Sequence, residues 1–148
     1  MHAGPLGPLL DITASDLMEH CFDGTFGFTD VVVWKDRVQA QLNTAHAEFS
    51  TWAKASGQQH TIKRFTRCGF SMYTLGSWPC YKGKAHNTLV LARWLESKTK
   101  EIKDVSEYCA LRWHVLWAWV EWFDVRLTAD PDFLEPGELG RLGRATVL

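Results

Sequence analysis

Glu107, His114 and Glu121 recur at seven-residue spacing in the 148-residue chain. A carboxylate–imidazole–carboxylate line can orient a general base or hold a metal. On a helix, however, seven residues span about 10 Å at about 1.5 Å per residue. One ion cannot be shared across that gap. Glu121 and Asp124 stand closer, but no Glu-x-x-His pair exists to complete a metal site between helices. A solvated stripe or a polar contact between helices is the plainer reading.

Two cysteines offer a different chemistry. Cys80 stands near Lys82 and Lys84, and Cys68 adjoins Arg67. Local positive charge lowers a thiol pKa and favours the reactive thiolate. No base is tied to either cysteine by spacing, so ordinary thiols are expected. The four cysteines, Cys21, Cys68, Cys80 and Cys109, contain no C-x-x-C pair and form no disulfide framework or zinc knuckle. Gly137, Gly140 and Gly143 follow no strand and lack a P-loop lysine. G-x-S-x-G and H-E-x-x-H motifs are also missing. The expectation is a non-catalytic chain with no cofactor and no metal. An enzyme using His114 or Cys80 would need a concave pocket around one of them.

The third constellation is a basic, aromatic stretch. Residues 49–95 contain no Asp or Glu and seven cations: Lys54, Lys63, Arg64, Arg67, Lys82, Lys84 and Arg93. Residues 1–48 carry seven acids against two Lys/Arg, and residues 96–148 carry ten against seven. A net charge of −1 therefore hides a positive middle between acidic flanks. Clustered Lys and Arg attract phosphates, and exposed aromatics can stack on unpaired bases. The densest part runs from His60 to His86. Its candidate nucleic-acid contacts are Lys63, Arg64, Arg67, Lys82, Lys84 and His86, with Trp78 and Tyr81 as stacking groups. The plainer alternative is that the cations solvate a loop while Phe65, Phe70 and Trp78 fill the core.

Helices must position these residues. The length suits one domain. Gly4, Pro5, Gly7 and Pro8 make residues 1–14 a flexible lead-in, followed by a short helix face of Leu17, Met18 and Phe22. A long helix is expected over residues 30–56, N-capped by Thr29. Its apolar stripe includes Trp34, Val38, Leu42, Ala45, Phe49 and Trp52, while Lys35, Asp36, Gln39, Asn43 and Glu48 take the other face. Gly57 should terminate it. Residues 58–83 hold no sustained period and read as an irregular connector.

A second helix is expected over residues 84–103. Asp104, with Glu107 three positions on, should cap a third over residues 105–128. Trp113, Trp117, Trp119, Trp122 and Phe123 surround that third helix, which should therefore be buried on most sides. Residues 129–148 read as loosely attached turns. The fold class is all-α: three main helices, a long basic connector and short terminal helices. The most apolar window carries Arg112, His114, Glu121, Asp124 and Arg126, too much charge for a membrane span. Neither a signal peptide nor a disulfide framework is evident, and an intracellular location is expected.

The runs Arg64-Phe65-Thr66, Gly69-Phe70-Ser71, Trp78-Pro79 and Lys82-Gly83-Lys84-Ala85-His86-Asn87, leading to Trp94-Leu95, resemble an uncharacterised family highly multiplied in dinoflagellate genomes. The resemblance covers roughly residues 34–142. Longer members resemble transposon-derived proteins with a helical segment of this kind. It implies mobile-element ancestry and nucleic-acid contact. It carries over no catalytic residue, since an RNase H-like centre needs acid-bearing strands. The alternative partner is a protein or a homodimer mate, docked on surplus Trp.

Overall fold

A computed structural model describes residues 6–128 and Arg144. The expected C-terminal turns therefore lie outside the described residues. Those described are all-α, with no strand. The helices are α1 (Leu6–Phe22), α2 (Trp34–Ala55), α3 (Ala85–Lys100) and α4 (Glu107–Thr128). The chain divides into two compact units, Met1–Trp94 and Leu95–Leu148. The aromatic core of the first unit closes at Trp94. The second unit has its own ties, such as the Trp113 indole N–H donating to Glu96 Oε1 at 2.7 Å.

Residues 6–14, expected as part of a flexible lead-in, are helical. Pro8 falls in the first turn of α1, where a backbone N–H has no helical acceptor and proline costs little. Leu9, Thr13, Ala14, Leu17 and Cys21 then form a buried stripe at helical spacing. The helix closes on a buried staple. His20 is fully buried, with Nε2 3.5 Å from Asp16 Oδ2 and Nδ1 3.2 Å from Thr25 Oγ1.

The first unit packs α1 on α2. The apolar stripe of α2 is as expected: Val38, Leu42, Ala45 and Phe49 are fully buried. Its N-cap is Val33 rather than Thr29, because Phe28 adopts a left-handed conformation (φ 61°) and residues 29–33 turn instead of coiling. Gly57 (φ 66°) ends the helix as expected. Its N–H bonds Lys54 O and the Gln58 N–H bonds Ala53 O, the paired closure that a left-handed residue permits.

Beyond Lys100 the backbone tightens into three-residue turns through Val105. Ser106, not Asp104, caps α4: its hydroxyl accepts the Cys109 N–H at 3.1 Å. Asp104 instead faces Lys103 at 3.9 Å. Burial on most sides of α4 holds along its middle, where no residue from Arg112 to Val125 is exposed. Leu116, Ala118, Val120, Phe123 and Val125 are buried, Trp113, Trp117, Trp119 and Trp122 are half-buried, and Tyr108 and Leu111 are exposed. Leu116, Val120 and Phe123 share one side of the helix and Ala118 and Val125 the opposite side, with the amphipathic tryptophans half-buried between them.

Candidate functional site

Residues 56–84 run without regular structure except for a 3₁₀ turn, Cys68–Phe70. The segment nevertheless has a fixed course. Phe65 and Phe70 are buried, and their rings continue an aromatic chain. It runs from Phe26 to Trp94 (6.3 Å between centroids), to Phe49 (5.5 Å), Phe65 (5.4 Å), Phe70 (5.3 Å) and Tyr81 (5.0 Å). Such pairs add to the burial of large apolar area. The connector therefore supplies part of the core it crosses.

Polar side chains of the flanking helices hold its backbone. Gln39 of α2 donates to Phe65 O at 3.0 Å and accepts from Arg67 N at 3.3 Å. One turn-pair further on, His46 Nε2 meets Ile62 O at 3.3 Å. From α3, Asn87 accepts Thr61 N at 3.0 Å and donates to Thr61 Oγ1 at 2.9 Å. His86 Nε2 meets Gln59 O at 2.7 Å, and the Arg93 guanidinium donates to Gln58 Oε1 at 3.1 Å. A buried backbone group left unpaired costs free energy, so these amides and imidazoles replace the missing ladder.

The charged candidates differ in exposure and in what they touch. Lys63, Arg64 and Lys84 are exposed. Arg67 is half-buried, donating to Met72 O at 3.3 Å and lying 5.4 Å from the Trp34 ring. Lys82 is exposed and donates to the Tyr73 hydroxyl, with its ammonium 4.7 Å from that ring. That hydroxyl holds the Lys82 ammonium above the ordinary lysine pKa. His86 is exposed while bonded to Gln59. Among the described residues, no carboxylate forms an ion pair with Lys63, Arg64, Arg67, Lys82 or Lys84.

The two aromatic candidates part company. Trp78 is 74% exposed. Tyr81 is buried against Phe70, and burial pushes its hydroxyl up to about 12. Tyr81 is thus a core residue, which corrects its assignment as a stacking group. An aromatic beside lysines reads as exposed in sequence. Here the backbone turns Tyr81 inward, its N–H bonding Leu10 O at 3.2 Å while Lys82 N bonds Gly69 O at 2.9 Å.

The neighbouring lysines do not activate Cys80. The Cys80 thiol is pushed up, first by burial and then by the hydrogen bond and charge of Asp11; the opposing pull of Lys82 is weaker. Burial, then Asp23, pushes Cys21 to about 12. In α4, Glu107 is exposed and His114 lies 4.7 Å from the Trp113 ring. No group of three metal-ligating side chains occurs among the described residues.

Asp16, His20 and Thr25 form an acid–imidazole–hydroxyl line that sequence spacing did not single out. Thr25 Oγ1 donates to Asp23 Oδ1, and the Thr25 N–H bonds the same oxygen at 2.9 Å. The hydroxyl is thereby committed to the turn, and the line acts as a helix-end staple. Gln39, His46 and Asn87 were missed as positioning residues. A sequence signal existed for the first two: they stand seven apart on α2, beside its apolar stripe.

No helix among the described residues is long and apolar enough to cross a membrane. No protein-family model, curated protein or solved structure matches the chain.

Proposed function

We propose that the chain is a non-catalytic helical module that binds nucleic acid through its connector. The observation that carries this reading is the set of exposed cations, Lys63, Arg64, Lys82 and Lys84, none of them in an ion pair with a carboxylate of the described residues. Exposed, uncompensated Lys and Arg on an anchored backbone attract phosphates. The mobile-element ancestry rests on the residue resemblance across 64–87.

Labelled oligonucleotides titrated at several salt concentrations test it. Four phosphate contacts on a single strand give a slope of log K against log salt of roughly −3. A flat salt dependence, or no binding at low salt, removes the proposal.

A second reading is a protein-interaction or homodimerisation module. It is favoured by Val105, Tyr108 and Leu111, which recur every three residues and are each more than half exposed. Light scattering across protein concentration tests it; a constant monomer mass leaves the homodimer without support.

A further inference from the structure

The loop from Tyr73 to Pro79 is short, exposed and internally braced. Ser77 N bonds Thr74 O at 3.1 Å, and Ser77 Oγ accepts Thr74 N at 2.9 Å. Its base is closed by Cys80 N to Phe70 O at 3.1 Å and Lys82 N to Gly69 O at 2.9 Å. Ser71 Oγ adds a bond to Cys80 O at 3.0 Å, and Arg67 holds Met72 O at 3.3 Å. On this braced loop Trp78 is 74% exposed, and its indole N–H has no protein acceptor among the described residues. Burying a Trp side chain is normally among the larger gains a fold can make. The preceding-proline restriction on Trp78 further fixes its backbone as extended.

We infer that the ligand class is single-stranded nucleic acid, with Trp78 as the base-stacking platform and Lys82 as the neighbouring phosphate contact. This rests on the nucleic-acid reading above and narrows it. In a duplex each base face is covered by its neighbours, so a protruding indole finds only groove edges and backbone. An unpaired base offers its face, and stacking on a fixed aromatic is sequence-tolerant. Lys82 lies over the ring of Tyr73, the first residue of the same loop, so an exposed cation stands at the base of the loop that carries Trp78.

The test compares a thymidine oligonucleotide with a hairpin duplex of equal length, using the full chain and its Trp78→Ala, Trp78→Phe and Lys82→Ala variants. The single strand should bind more tightly. Trp78→Ala should weaken it roughly ten-fold or more at unchanged salt slope, and Trp78→Phe should restore most of the loss. Lys82→Ala should shallow the slope by about 0.7. The thermal midpoint of Trp78→Ala should stay at the parent value. Equal affinity for duplex and single strand overturns this inference and leaves the nucleic-acid reading standing. So does a Trp78→Ala variant that binds the single strand like the parent. Failure of the parent chain to bind either probe overturns both.

Discussion

The ring of Tyr81 occupies the space that a β-carbon on Gly83 would need. The Tyr81 ring is held by stacking on Phe70, with centroids 5.0 Å apart, and by its burial. Glycine at 83 is thus required by packing, since its backbone has no left-handed conformation to explain it. Gly83→Ala should destabilise the chain by about 1–3 kcal/mol, the usual cost of overpacking. Urea denaturation followed by tryptophan fluorescence measures it. Gly76, whose added β-carbon would meet open space, is the control and should tolerate alanine with little change.

Gln39 acts as a backbone substitute, donating on one side of Thr66 and accepting on the other. Gln39→Leu would keep the bulk and leave Phe65 O and Arg67 N without partners. The expected cost is about 1–3 kcal/mol, as for buried groups left unsatisfied. Amide hydrogen exchange should show the loss locally, with faster exchange at Arg67 and through the Cys68–Phe70 turn, while α4 stays protected. Uniform acceleration across the chain would show instead that Gln39 supports the global fold.

What could be read from sequence follows the range of the signal. The stripe Val38, Leu42, Ala45 and Phe49 and the terminator Gly57 are local, and both are realised. α1 was hidden because Gly7 and Pro8 signal an extended chain anywhere except in a first helical turn. Gln39 reads as solvent-facing because a polar residue off the apolar stripe has no local mark of its partner. Its acceptor lies 26 residues away on an irregular backbone. Tyr81 failed for the same reason: its inward direction depends on Leu10 O and on Phe70, both distant in sequence or held by the loop's own closure. The exposure of the cations was legible from composition. Their lack of ion pairs with carboxylates of the described residues was not, since acidic flanks are equally consistent with pairing.

Thiol reactivity should run opposite to the order that nearby lysines suggest. Cys68 is exposed, while Cys80 is half-buried with its thiol pushed up by burial and Asp11. Only the thiolate reacts. At neutral pH, iodoacetamide should label Cys68 well before Cys80, and Cys21, raised to about 12, should remain intact until unfolding. Asp11→Asn removes the charge that opposes the Cys80 thiolate and should speed its labelling. Mass spectrometry of timed digests reads the order. Faster labelling of Cys80 than of Cys68 would show that the lysines govern the site.

Protonation should loosen the start of the connector. The Ile62 N–H donates to His60 Nδ1 at 3.1 Å, so that nitrogen carries no proton in the folded chain. Burial, then the neighbouring imidazole of His46 and more weakly that of His86, lower the His60 pKa below its ordinary 6.5, outweighing an upward pull from the Ile62 backbone bond. The lowered pKa means the unfolded chain binds a proton first as pH falls. Stability from this group is therefore complete above pH 6.5 and declines below it, until the folded form also protonates. Protonation at Nδ1 would also place N–H against N–H and add charge beside Lys63 and Arg64. Hydrogen exchange at Ile62 should accordingly rise between neutral pH and about pH 5, after correction for intrinsic rates. His60→Asn, whose Oδ1 can accept the same N–H, should flatten that component of the pH dependence. An unchanged profile in this variant would show that His60 does not set the pH dependence of this segment.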